Sequence, residues 1–254
     1  MKLTNHSSIF LSIIFIVLIL FSCQTTYHPV QAEFDRYRLN GENNTEGAPE
    51  IESLIAPYKS EVSSQMNEVI ADIPQTLVKD RPESTLGNWM ADAIGKYAEK
   101  TTGEKIDLSI CNYGGVRIAE LAKGELTVGN VYELMPFDNY VVTMVVEGKI
   151  LIKILERIAD YGGWPVSSEL EMTIGGDHII EAKLNSQSID PVGQYRIALS
   201  DYLANGGDGL SFLSHLPKNN LNVYYRDALI NIARSEKTIT AKLEGRIKTN
   251  NHDQ

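Results

Sequence analysis

The sequence has 254 residues, is 43% apolar and 22% charged, and carries a formal charge of −10 at neutral pH. That balance suits a chain with a packed core and excludes a polar, disordered one. The acidic surplus argues against a nucleic-acid polymer or an anionic membrane as partner for the whole surface, while leaving room for a local basic pocket.

Lys2 precedes an almost unbroken apolar run from Ile9 to Phe21. The run is long enough for a signal segment but shorter than the about 20 residues of a membrane span. Leu20-Phe21-Ser22-Cys23 follows at once and resembles a bacterial lipobox, with Ser22 small enough for cleavage and Cys23 placed for lipidation. A plain signal peptide or an anchor helix with an incidental cysteine is the alternative. Residues 1–22 therefore read as a lipoprotein signal peptide and residues 23–48, polar and turn-rich, as a flexible tether. The expected location is the cell envelope, lipid-anchored to a membrane on its periplasmic or surface face. Residues 49–250 read as one domain, large enough for a real core. With Cys23 lipidated, Cys111 has no disulfide partner in the chain and is expected as a buried free thiol.

Within the domain, Ile51 to Met66 has apolar residues at helical spacing: Ile51, Leu54, Ile55, Tyr58 and Val62. Val69 to Leu77 reads as a strand with an exit turn at Pro74. Leu86 to Ala98 is expected as a helix capped by Ser84 or Thr85, with Trp89, Met90, Ala93, Ile94 and Tyr97 on one face. Ile106 to Cys111 reads as a short buried strand, followed by a glycine-bearing turn over Asn112 to Arg117. Tyr140 to Val146 is β-branched and strand-like, and Lys149 to Ala159 has a helical apolar stripe. Glu169 to Ile174, His178 to Leu184 and Tyr195 to Leu199 are candidate strands, and Tyr225 to Arg234 a late helix. Strands and helices alternate without regular βαβ spacing, which predicts an α/β domain of mixed α+β kind, a mixed sheet flanked by helices.

Metal and nucleophile chemistry find little support. His28, His178, His215 and His252 show no HxxxH, DxH or HxH spacing. No GxSxG elbow or Cys/His pair is present. Three glycine- or proline-bearing segments stand out instead. Asn112-Tyr113-Gly114-Gly115-Val116-Arg117 offers backbone N–H groups, an amide and a planar guanidinium, which suits phosphate or sugar oxygens but also an ordinary turn. Phe137 in Met135-Pro136-Phe137-Asp138-Asn139 is either an exposed ring or a core plug. Ser200 to Gly209 closes a tight glycine loop that either aims Asp208 inward or uses it as a helix cap.

Taken in order, these segments resemble one family. Glu83-Ser84-Thr85-Leu86-Gly87-Asn88-Trp89-Met90-Ala91-Asp92-Ala93 is similar to the E-x-x-L-G-N-L-x-x-D-A opening of the 5'-nucleotidase C-terminal domain. NYGGVR resembles its N-x-G-G-I-R, GELTVGNVYELMPFDN its G-x-I-T-x-x-x-V-x-x-x-L-P-F-G-N, and YRIALSDYLANGGDG its Y-x-V-x-x-x-x-F-x-x-x-G-G-D-G. The likeness runs from about Ile51 to Arg246.

The resemblance implies a nucleotide- or nucleoside-binding domain. Phe137 and Tyr202 match the rings that sandwich the base, and Asp208 matches the acid that accepts from ribose hydroxyls. Asn112 and Asn139 match polar groups near the base, Arg117 an arginine near ribose and phosphate, and Gly162 a backbone position lining the base pocket. Arg81 is near, though not in register with, a second substrate arginine. Asp138 departs from the family's glycine and is expected to alter the loop or repel a phosphate. The family's metallophosphatase domain, with its metal ions and catalytic Asp–His pair, has no counterpart in the residues ahead of the match. The expected function is thus recognition within a split 5'-nucleotidase that hydrolyses nucleoside 5'-monophosphates. A separate metallophosphatase chain would supply the divalent metal ions, with no catalytic residue or metal ligand here. The alternatives are a non-catalytic nucleotide-binding lipoprotein for scavenging or sensing, and a domain kept as a structural interaction module.

Overall fold

A computed structural model describes residues 49–250; the segments expected as signal peptide and tether, Cys23 and His252 lie outside the described residues. The chain divides into two compact units between Glu52 and Ser53, and only Pro49–Glu52 of the first is described. Helix α1, Pro49–Met66, forms where its apolar spacing predicts but buries none of its residues. Its stripe of Ile51, Leu54, Ile55, Tyr58 and Val62 is exposed.

Strand β1 (Val69–Ile73) is followed by β2 (Leu77–Val78) and by helix α2 (Thr85–Thr102). Ser84 caps α2, its Oγ accepting from the Gly87 N–H at 3.0 Å, and Gly103 ends it with a left-handed φ of 71°. Such a cap contributes about 1 kcal/mol. Leu86, Trp89, Met90, Ala93 and Ile94 form the buried face. Strand β3 is only Leu108–Ser109, because the flanking residues up to Cys111 bond to neighbours singly rather than along a ladder. Next come β4 (Glu120–Leu121), β5 (Gly124–Thr127), α3 (Val128–Leu134), β6 (Tyr140–Glu147) and α4 (Gly148–Asp160). The second half holds β7 (Leu170–Gly175), β8 (His178–Leu184), β9 (Gln187–Ser188), β10 (Gln194–Ser200), the one-turn α5 (Asp201–Ala204), β11 (Asn219–Tyr224), α6 (Tyr225–Glu236) and β12 (Ile247–Thr249).

Two four-stranded sheets organise the unit from Ser53 onward, ordered β11-β6-β10-β3 and β12-β7-β8-β9. In the first, β10 runs parallel to β3 and antiparallel to β6. Side chains alternate across this sheet as the pleat requires. Val141 and Ala198 join a core with α2, α6, β1 and α3, while Val142, Met144, Ile197 and Leu199 join a second core under α4. The sheet is thus buried on both faces, which explains the nearly continuous apolar runs in β6 and β10. Cys111 lies in the first core as a free thiol, and burial pushes it up to about 12.

The polar residues of the E-x-x-L-G-N-x-x-x-D segment hold the C-terminal stretch in place. The Glu83 carboxylate accepts from the Asn88 amide at 2.7 Å and from the backbone N–H of Glu244 and Gly245, each at 2.8 Å. Asn88 Nδ2 also donates to the Lys242 carbonyl. Arg246, 4% exposed, forks onto both Asp92 oxygens at 2.7 Å, bonds Glu244 at 2.7 Å and donates to the Val166 carbonyl at 2.8 Å. Gly87 is needed because a Cβ there would meet Pro165 at 2.8 Å. Arg246→Ala leaves two adjacent carboxylates without their cation. We expect a loss of about 2–3 kcal/mol in urea unfolding, below a fully buried pair because both acids reach water.

Candidate functional site

The first sheet's register decides where the three glycine- and proline-bearing segments meet. Ala198 pairs with Ser109 and Ser200 pairs with Val141. The carboxyl ends of the parallel pair β3 and β10 therefore point the same way, and the amino end of β6 lies beside them. The loops that leave β3, leave β10 and enter β6 emerge together at one end of the sheet. In open α/β sheets ligands bind in such crevices.

These loops enclose a cavity of about 330 Å³ lined by Asn112, Gly114, Gly115, Arg117, Phe137, Asn139, Tyr202 and Asp208. A volume in this range fits a small-molecule ligand, and the lining combines rings with a few convergent polar groups. A larger hollow of about 650 Å³ lies between α4 and β8, lined mostly by aliphatic side chains with His178, Asp177, Glu156 and Glu181 at its polar parts. It gathers no phenylalanine, tyrosine or tryptophan ring and none of the glycine turns, so the smaller cavity is the chemically organised one.

Its centre is the Asp208 carboxylate. Asn112 Nδ2 donates to one oxygen at 2.7 Å and the Tyr202 hydroxyl donates to the other at 2.8 Å. Asp208 sits in the left-handed region, φ 49° and ψ 34°, between glycines. Ser200 caps the short helix that carries Tyr202, and Asp201 Oδ1 accepts the Tyr140 N–H at 3.0 Å, tying this loop to the start of β6. A Cβ on Gly207 would strike the Tyr202 ring at 2.5 Å, so glycine lets the ring lie close over the loop.

Some residues that act here escaped the sequence reading. Arg157 on α4 donates from Nε to the Asp208 backbone carbonyl at 2.9 Å and from its other arm to the Tyr161 hydroxyl at 3.1 Å. It also pairs with Asp160 and lies over the Tyr161 ring at 4.4 Å. The strained Asp208 turn is thereby held from behind. Within its own helix Arg157 looks like an ordinary last-turn arginine, and only the return of the Gly206–Gly209 loop gives it this role.

On the other side, Asn112 is buried and precedes a single 3₁₀ turn, Tyr113–Gly115. Arg117 is exposed, its Nη1 reaches the Gly114 carbonyl at 3.4 Å, and its guanidinium lies 5.5 Å from the Phe137 ring centre. Phe137 is 37% exposed, so it is not a core plug. Lys79 was also missed: Nζ donates to the Val116 carbonyl at 2.7 Å and sits 4.0 Å from the Tyr113 ring centre. Burial, then the charges of Arg117 and Arg81, hold the Lys79 ammonium below the usual lysine range.

Six of the eight substrate-binding candidates thus meet in one cavity: Asn112, Arg117, Phe137, Asn139, Tyr202 and Asp208. Arg81 does not line it; its guanidinium packs over Tyr113 at 3.9 Å, one residue from the cavity wall. Gly162 does not line it either and turns the chain out of α4 with φ 73°. Among the described residues no three His, Cys, Asp or Glu side chains gather as a metal site.

The Asp208 carboxylate raises the Tyr202 phenol above the ordinary tyrosine range, chiefly through the hydrogen bond it accepts. The bond stabilises the neutral phenol, and the negative charge opposes the phenolate. Asp208→Asn should therefore lower the Tyr202 pKa toward its ordinary value. The check is an ultraviolet pH titration with Tyr202→Phe as the subtraction reference.

Comparison with known proteins places the fold in a family. The sequence model described as "5'-nucleotidase, C-terminal domain" matches residues 67–215. The trifunctional nucleotide phosphoesterase protein YfkN of Bacillus subtilis is 29% identical over 230 residues, covering 82% of this chain and 16% of that protein. An apyrase of Tabanus yao is 27% identical over 229 residues, covering 79% of this chain and 41% of that protein. The crystal structure of a 5'-nucleotidase precursor from Thermus thermophilus superposes with a TM-score of 0.70 at 27% identity, over 79% of this chain and 43% of that one. The chain spans less than half the length of each of these proteins. A matching region that covers β1 through the Asp208 loop, together with the shared fold, establishes that this chain belongs to the 5'-nucleotidase C-terminal domain family.

Proposed function

We propose that this chain is the nucleotide- or nucleoside-recognition half of a split 5'-nucleotidase. The observation that carries the reading is the cavity itself: two aromatic rings, a carboxylate, two amides and an arginine around one space large enough for a nucleoside. Phe137 and Tyr202 would hold the base by stacking, which is permissive for base identity. Asp208, oriented by Asn112, would accept from ribose hydroxyls. Arg117, with Arg81 and Lys79 beside Tyr113, would face the phosphate, as the crowding of cations in an otherwise acidic chain supports.

The reaction so served is hydrolysis of a nucleoside 5'-monophosphate to nucleoside and phosphate. This chain would bind and orient; a separate metallophosphatase chain would bring the divalent metal ions and the attacking water. The same proposal places the protein in the cell envelope, held to a membrane by lipid on Cys23 and with no nucleic-acid polymer as partner. The Leu20–Cys23 junction supports the anchor. Cys23→Ser should abolish labelling by a radioactive fatty acid; retained label would remove the anchor from the proposal.

Phe137→Ala and Tyr202→Ala should each weaken AMP binding by about 1–3 kcal/mol, a factor of roughly 5–150. Both rings are partly exposed, so melting temperatures should move little. Calorimetric titration checks the affinity. No heat and no thermal shift with AMP or adenosine at millimolar concentration would overturn the binding reading. AMP binding by the purified chain, with phosphate release only after a metallophosphatase is added, is the expected result. Binding with no release in the presence of a co-purified metallophosphatase would favour scavenging or sensing.

A further inference from the structure

The cavity's base-facing ring is carried by a loop, Met135 to Asn139, that has no regular structure of its own. Its placement depends on what holds it from outside, and α6 supplies this. The Tyr225 N–H donates to the Asn139 carbonyl at 2.7 Å. The next residue, Arg226, donates from Nη1 to the Phe137 carbonyl at 3.0 Å and pairs with the Asp138 carboxylate at 2.6 Å. The Arg226 guanidinium carbon lies 4.8 Å from the ring centres of both Tyr132 and Tyr224, and the side chain is 11% exposed.

We propose that Arg226 is a positioning residue for base recognition, fixing the loop that presents Phe137 to the cavity with Asp138 as its counter-charge. This rests on the reading that Phe137 stacks on a base. Arg226 lines no part of the cavity and touches no ligand; it acts on the Phe137 backbone.

Several observations set the balance of forces. Asp138 is 73% exposed, so an isolated Asp138–Arg226 ion pair would add little. The hydrogen bond to the Phe137 carbonyl is different, because it ties the carrier of the ring itself and comes from a guanidinium already held between two tyrosines. A side chain so confined loses little further freedom when it fixes the loop. Asp138 replaces the glycine found at this place in the family pattern, and the structure turns its carboxylate onto Arg226. The expected repulsion of a phosphate is thereby met by a counter-charge, and the altered loop is tied down rather than loosened. Preorganising a ring that must otherwise be ordered on binding raises affinity without adding a contact.

The test is a double-mutant cycle read by titration calorimetry with AMP and with ribose 5-phosphate, which lacks the base. Arg226→Met should weaken AMP binding roughly 3- to 10-fold, the cost of ordering one freed side chain and its loop. It should leave ribose 5-phosphate unchanged and have no further effect in a Phe137→Ala background. Arg226→Lys keeps one donor and the charge and should fall between. Asp138→Asn, which leaves the packing between the tyrosines intact, should weaken AMP in the same direction but less, and it stands in if Arg226→Met fails to fold. An equal loss for both ligands, an undiminished effect in the Phe137→Ala background, or full AMP affinity in the Arg226 variants would overturn the proposal. Wild-type protein that binds no AMP would instead overturn the underlying base-binding reading and this proposal with it.

Discussion

The pairing of β10 with a parallel neighbour on one side and an antiparallel neighbour on the other governs the rest of the architecture. A parallel pair aligns two carboxyl ends, and an antiparallel third strand adds its amino end at the same edge. Three loops far apart in sequence are thereby delivered to one place. Because the sheet is buried on both faces, a register slip would move a full set of apolar side chains from one core into the other. The loops inherit the rigidity of that constraint, which is how short, glycine-rich segments can hold a defined geometry.

Around the cavity, the polar groups are arranged in shells. Asp208 takes one hydrogen bond on each carboxylate oxygen from Asn112 and Tyr202, and its backbone is braced by Arg157 from α4. Phe137 is braced by Arg226 from α6 and faces Arg117 across the loop. Both braces come from helices that lie outside the cavity. Arginine suits this work because its fork can bond a carbonyl while its plane rests on aromatic rings. The cationic cluster of Lys79, Arg81 and Arg117 stands out against a chain of net charge −10, and the mutual repulsion of its members is offset locally by the Val116 carbonyl and the Tyr113 ring.

Much of the secondary structure was legible in the sequence, for identifiable reasons. The α2 helix has a serine cap, a strong apolar face and a glycine stop, and it appears within a few residues of its predicted bounds. β6, α4, β7, β8, β10 and α6 likewise follow their periodicities. Other elements were not legible: α3, β5 and β12 are short, β11 (Asn219–Tyr224) is rich in asparagine, and the strands among them exist because of partners distant in sequence. The predicted strand from Ile106 to Cys111 contracts to Leu108–Ser109 because only β10 offers it a ladder there. The stripe on α1 marks a helix yet is exposed, since periodicity reports a helix and not what covers it.

The amino-acid sequence by itself determined the domain class, the buried free cysteine, the family likeness and six of the residues that meet in the cavity. Those are matters of residue type and local order, which a linear chain records directly. It could not determine that Gly162 and Arg81 stand off the cavity, or that Arg157, Arg226 and Lys79 brace and charge its rim. Nor could it show that the E-x-x-L-G-N-x-x-x-D residues serve as a clamp for the C-terminal stretch rather than as part of the cavity. Each of these depends on contacts between segments many residues apart, and such contacts exist only once the sheet register and the two cores have brought the segments together.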